Sequence, residues 1–157
     1  MSCDKQSAPE FPALQEKGPL HFELRIPSDP RLLAVVRRTV SEFAAAFGFK
    51  EEQCRAITLA VDEALSNIIR HAYKNRYDQE IEMRLSANRE CLEVTFVDRG
   101  EPVDLSKCCA QPLDKVALGG RGTHLIRQIM DEVCYERVSE GNRLRLKKYL
   151  PAPRLIP

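Results

Sequence analysis

Glu63, Asn67 and His71 stand four residues apart, Asp98 is followed by Arg99-Gly100, and the run Gly119-Gly120-Arg121-Gly122 comes later in the chain. On a helix with ~100° between residues the first three side chains share one face, with Arg70 beside them. Glu63 is a carboxylate that can orient or deprotonate a hydroxyl. Asn67 offers a neutral oxygen, suited to Mg²⁺ where phosphates bring most of the negative charge. Asp98 has the parity of Leu92, Val94 and Phe96, so in an extended strand its carboxylate joins their apolar face. A carboxylate there is costly unless something pairs with it, and the exocyclic amino group of adenine is a fitting partner. Gly100 would let the backbone approach the base closely. The glycines at 119, 120 and 122 permit positive-φ turns, free amides at a helix start attract phosphate, and Arg121 adds charge. Together these residues describe a pocket for a nucleotide.

Each motif also has a plainer reading. The Glu63 stripe can be a solvated helix face, and His71 can cap the helix end rather than touch phosphate. Asp98 can cap the Arg99-Gly100 turn, and the glycines can form a hinge. Ala56 and Ala60 fall on the polar stripe, where their small side chains leave room for a ligand. The glycine run is not a Walker A loop, because GxxxxGK[ST] is absent.

The elements that must carry these residues follow from periodicity. Residues 21–26 alternate as an opening strand, and Pro27-Ser28-Asp29-Pro30 breaks it. Leu32, Leu33, Val36, Val40, Phe43 and Phe47 repeat at helical spacing up to Gly48, and a second helix spans about residues 51–73. Strands are predicted over 80–85 and 91–97, joined by a turn at 86–90. From 101 to 118 the pattern disappears, with Pro102 and Pro112 interrupting, as in a functional lid. A helix over 123–133 and strands over 134–138 and 143–150, joined by Glu140-Gly141-Asn142, complete the order β-α-α-β-β-loop-α-β-β. Short turns between consecutive strands imply antiparallel pairing. The expected class is α+β, a two-layer sandwich with helices on one face of a mixed, mostly antiparallel sheet.

At 157 residues the chain is expected to be one domain over 19–150, with a flexible N-terminal segment over 1–18 and a tail over 151–157. With 24 basic and 23 acidic residues the net charge is +1, and no bulk field drives the chain onto nucleic acid or a membrane surface. No export signal or spanning segment is visible, which places the six cysteines as reduced thiols in the cytoplasm. They lack CxxC spacing and have no clustered histidines, so no zinc site is expected. Adjacent Cys108 and Cys109 fall in the predicted connection.

Glu63-Ala64-x-x-Asn67 resembles the N box of the Bergerat-fold (GHKL) ATPases, the group of gyrase, Hsp90, MutL and histidine kinases. Asp98-x-Gly100 resembles their adenine-binding box and Gly120-x-Gly122 their second glycine box. The stretches 61–73 and 119–126 are most similar to the small anti-sigma-factor serine/threonine protein kinases of the RsbW and SpoIIAB type. That resemblance, over about residues 20–150, implies an ATP·Mg²⁺ pocket with Glu63 as general base and Asn67 as metal ligand. It implies nucleotide contacts from Asn67, His71, Asp98, Gly100, Gly119, Gly120, Arg121, Gly122 and Thr123. It further implies a homodimer that binds a sigma factor and phosphorylates a STAS-type antagonist of the anti-sigma factor. Three positions depart from the pattern. Leu118 stands where some members carry a phosphate-sensing arginine, Thr123-His124 where a leucine or phenylalanine pair is common, and the last strand lacks an obvious adenine-site threonine. The alternative is a catalytically weak ATP-sensing module that sequesters a partner without phosphotransfer.

Overall fold

Alternation of Phe22, Leu24 and Ile26 with polar neighbours builds the opening strand, β1 (Leu20–Pro27), and Asp29 then caps a short 3-10 turn at Pro30–Leu32 by accepting from the Arg31 N–H. In the computed structural model, residues 19–104 and 121–151 are described. Gly119, Gly120, Leu118, Cys108, Cys109, most of the 101–118 connection, and residues 1–18 and 152–157 lie outside them. Two helices follow the turn, α1 (Leu33–Ala46) and α2 (Glu51–Asn67), and α2 continues as a π-helical turn over Ile68–Ala72. The remaining elements are β2 (Glu80–Ala87), β3 (Cys91–Asp98), α3 (Arg121–Ile129), β4 (Glu132–Val138) and β5 (Gly141–Tyr149).

The five strands form one sheet in the order β1-β2-β3-β5-β4, and all four pairings are antiparallel. The α+β class stands, while the described sheet has none of the parallel pairing that a mixed sheet allows. The strand alternation is strict. On β3, Leu92, Val94 and Phe96 are fully buried while their odd-numbered neighbours are half-exposed. Ile81, Met83 and Leu85 of β2 and Leu146 of β5 extend that apolar face, and Val40, Ile57, Val61 and Leu65 of the helices close over it. The other face is laced with ion pairs, among them Arg84 with Glu23 and Lys147 with Glu132.

Helix α3 ends earlier than the 123–133 periodicity predicts, and Val133 belongs to β4. The apolar spacing of Ile129, Met130 and Val133 suits either state. The sheet decides: the Asp131 N–H donates to Lys147 O at 2.9 Å, and the Asp131 carboxylate accepts from the Tyr149 N–H at 2.7 Å. These bonds draw the chain onto β5 one residue after Met130. Turn positions shift likewise, because Ser86 and Ala87 extend β2, and Gly141 and Asn142 begin β5.

Candidate functional site

Helix α2 is flanked by α1 and α3, which leaves its C-terminal half facing an open cavity. Glu63 and Asn67 line that cavity one turn apart, and Arg70 and His71 line it from the π-helical turn. A π turn widens the backbone spiral, and such turns recur at functional sites. Here the Tyr73 N–H caps the turn by donating to Ile68 O at 3.0 Å, so the helix end is closed by backbone and His71 is left on the cavity wall. Left-handed Lys74 and Asn75, with φ of 53° and 60°, stop the helix. Ala60 is fully buried, and neither it nor Ala56 lines the cavity, which corrects the expectation that both leave room for a ligand.

Arg70 lies among the functional oxygens. Its Nη2 donates to Glu63 Oε1 and to Asn67 Oδ1, both at 3.2 Å, and its Nε to Ser66 O at 3.3 Å. The guanidinium therefore holds the carboxylate and the amide oxygen together across one helical turn.

Asp98 sits at the end of β3 and is 4% exposed, on the helix-packed face as its parity predicts. Its Oδ1 accepts from the Gly100 N–H at 2.9 Å and from Asn142 Nδ2 at 2.8 Å. It thus caps the following turn and also lines the cavity, so the two readings of Asp98 describe one side chain. Burial pushes its carboxyl above the ordinary aspartate range, against the Asn142 and Gly100 hydrogen bonds and the charge of Arg137. Tyr73 fixes this strand end from below: its hydroxyl donates to Glu80 O and accepts from the Arg99 N–H at 2.9 Å. Gly100 does permit a close approach, but to protein, since a Cβ there would lie 2.5 Å from Ala72 O.

The second glycine box is described only from residue 121 onward. Gly122 and Thr123 line the cavity from the first turn of α3, and a Cβ on Gly122 would fall 1.8 Å from Glu63 Oε1. The missing side chain is what lets the Glu63 carboxylate lie against α3. Gly119 and Gly120 fall outside the described residues, and of Arg121 only the backbone at the helix start is described.

Asn142 is the residue that sequence reasoning misses. It faces Asp98 across the β3–β5 ladder and is 5% exposed. The signal was present, because Asn142 shares the parity of Leu144 and Leu146, the argument that finds Asp98. Tyr135, Arg143 and Lys74 also line the cavity without having been singled out.

The cavity holds about 820 Å³, inside the range of small-molecule sites. Apolar Ala64, Ile68, Ala72 and Leu144 contribute to its wall, with the Asp98 carboxylate among them. An aromatic base with an exocyclic donor fits that end, and a polyphosphate fits the part lined by Asn67, Arg70 and the first turn of α3. Among the described residues no group of three or more His, Cys, Asp or Glu forms a metal cage. The donor set fits a hard cation held by one amide oxygen and by phosphates that come with the nucleotide.

Comparison with known proteins agrees with this geometry. Residues 26–148 match the family described as the histidine kinase-like ATPase domain. The serine-protein kinase RsbW of Oceanobacillus iheyensis is 30% identical over 138 residues, covering 83% of this chain and 87% of the relative. The RsbW of Bacillus subtilis strain 168 is 28% identical over 143 residues, covering 86% and 89%. A crystal structure of the RsbU and RsbW domains of a Mycobacterium tuberculosis protein superposes with a TM-score of 0.57 at 16% identity. That match covers 89% of this chain and 35% of the other, and supports the fold. Among the described residues no helix is long and apolar enough to cross a membrane. By sequence and by fold, the chain belongs to the histidine kinase-like ATPase domain family, within its RsbW serine-protein kinase branch.

Proposed function

We propose that this chain is a Mg²⁺- and ATP-dependent serine/threonine protein kinase that holds a sigma factor and phosphorylates a STAS-type antagonist protein. The observation that carries this reading is the convergence of Glu63, Asn67 and the buried Asp98 on one cavity, in a chain whose relatives are serine-protein kinases. Asp98 reads the adenine amino group. Asn67 would hold Mg²⁺ through its amide oxygen, and the ion would supply positive charge against the charge that develops on the phosphates during transfer. Arg70 would give up its bond to Asn67 Oδ1 for that role while keeping those to Glu63 Oε1 and Ser66 O. The Glu63 carboxylate accepts the proton of the attacking serine hydroxyl. The serine oxygen forms a bond to the γ-phosphorus as the bond to the bridging oxygen breaks, and ADP leaves. His71, Gly122 and Thr123 complete the nucleotide contacts from the cavity wall, with Arg121 at the start of α3, and Gly119 and Gly120 beyond the described residues. The protein works in the cytoplasm as a homodimer, without contacting DNA or membrane, in keeping with a net charge of +1.

The test is incubation with γ-labelled ATP, Mg²⁺ and a small antagonist domain encoded beside the kinase. Label on a serine or threonine of the antagonist supports the reading. Tight ATP binding with no transfer to any such domain would instead favour a sequestering module that senses nucleotide.

Asp98→Asn separates recognition from folding. Losing a charged acceptor worth ~1.5–3 kcal/mol should weaken ATP and ADP binding by about 10- to 100-fold. Because the folded carboxyl is raised, its contribution to stability is present below the unfolded value, ~3.9, and is lost as pH rises through the folded value. The asparagine variant should therefore melt at the wild-type temperature or above it at neutral pH. Adenine needs the ionised carboxylate, so wild-type affinity should fall on acidification, beginning above the ordinary aspartate range. Thermal melts and calorimetry across pH check both results.

A further inference from the structure

Asn142 uses the whole hydrogen-bonding capacity of its side chain. Nδ2 donates to Asp98 Oδ1 at 2.8 Å and to Glu101 O at 2.9 Å, while Oδ1 accepts from the Val103 N–H at 3.2 Å and from Arg137 Nη1 at 2.8 Å. Two donors and two lone pairs are all that an amide has. Reversing it would set its nitrogen against two donors and its oxygen against two acceptors, so its orientation is fixed.

The four partners belong to three different parts of the fold. Asp98 ends β3 and lines the cavity, Glu101 and Val103 begin the connection that leaves β3, and Arg137 lies on β4. Glu101 is also tied to the end of α2, through its N–H to Ala72 O at 2.9 Å and its carboxylate to Lys74 Nζ at 3.3 Å. Asn142 further stands between a cation and the buried carboxylate, as a relay from Arg137 through the amide to Asp98.

We infer that Asn142 is a positioning residue that couples occupancy of Asp98 by adenine to order in residues 101–104. The inference rests on the reading of the cavity as an ATP site. A base that donates to Asp98 tightens a carboxylate whose Oδ1 is already bonded to Asn142, and the same amide grips both Glu101 and Val103. Coupling of this kind is reciprocal, so order at 101–104 strengthens base binding by the same factor. The locked amide also bears on base choice. Both of its N–H groups are committed, so it has no donor to offer the carbonyl that guanine presents where adenine has an amino group. Without Asn142, Arg137 gains a direct path to Asp98 and competes with adenine for its carboxylate oxygens.

The experiment uses the full chain and two variants. Asn142→Asp keeps the shape but turns the donor into an oxygen facing Asp98 Oδ1 and Glu101 O. Asn142→Ser removes the grip more mildly and serves if the aspartate variant does not fold. ADP and GDP affinities are measured by calorimetry, and the amide exchange of Val103 is followed by NMR with and without ADP. In the wild type ADP should slow Val103 exchange about tenfold. In the variants ADP affinity should fall at least ~10-fold, the preference for ADP over GDP should shrink, and Val103 exchange should no longer respond. A folded variant with wild-type preference and an unchanged Val103 response overturns the inference. So does an equal loss for ADP and GDP with only a lower melting temperature, which marks a structural role. Failure of the wild type itself to bind ADP counts against the ATP-site reading instead.

Discussion

Glu63→Gln is expected to reduce phosphoryl transfer to the antagonist by ~10²–10⁴-fold while ATP affinity stays within about threefold of wild type. Glutamine has the same shape, so its Oε1 can still accept from Arg70 Nη2 and lie in the space that Gly122 leaves open. What it lacks is the ability to take a proton. The loss should therefore appear in kcat and hardly in binding, which initial-rate assays and calorimetry on the same preparation separate. A glutamine variant that transfers phosphate at the wild-type rate would show that the base lies elsewhere.

Gly141→Ala should be the most destabilising small change near the site. Gly141 opens β5 with φ of 145°, and a Cβ there would lie 2.0 Å from Asp98 O and 3.0 Å from Arg99 Cα. The blocking atoms are all backbone, from Asp98 and Arg99, so no side-chain rotation relieves the overlap. Strain and displacement together should cost about 3 kcal/mol or more, or roughly 6–12 °C in Tm for a domain of this size. Nucleotide affinity should fall with it, because Asp98 and Asn142 face each other beside this residue. Gly48→Ala is the control. Gly48 has φ of 92° with nothing within 4 Å of an added Cβ, so it should show conformational strain alone, about 1–2 kcal/mol, with nucleotide binding intact. Differential scanning calorimetry on the two variants makes the comparison. Equal losses would contradict the close approach at Gly141.

The features legible in the sequence are those governed by period. Parity alone places Asp98 on the buried face, and helical spacing puts Glu63 and Asn67 together on the cavity side of α2. Asn142 escaped notice because Glu140-Gly141-Asn142 reads as turn chemistry, whereas the turn is already over at Glu140 and β5 starts at Gly141. Where two periods suit the same residues, local pattern has no means of choosing. Ile129, Met130 and Val133 continue a helix on paper, yet Asp131 is claimed by β5. The π-helical turn has no sequence signature of this kind, and with it came the placing of Arg70 between Glu63 and Asn67. Ala60 departs from the stripe pattern for a tertiary reason. A small side chain on a polar stripe is a ligand's neighbour only where no other helix covers it, and here it is fully buried. The sequence reading of Gly100 is an approach of backbone to the base, and in the structure a Cβ at this position would also meet the Ala72 carbonyl.

Calorimetric titration of the folded chain with ATP in the presence of Mg²⁺ tests the nucleotide site most directly, with Asp98→Asn run beside it. A saturable single-site isotherm for the wild type is expected, weakened about 10- to 100-fold in the variant. No heat with either ATP or ADP, from protein that melts cooperatively, would contradict it.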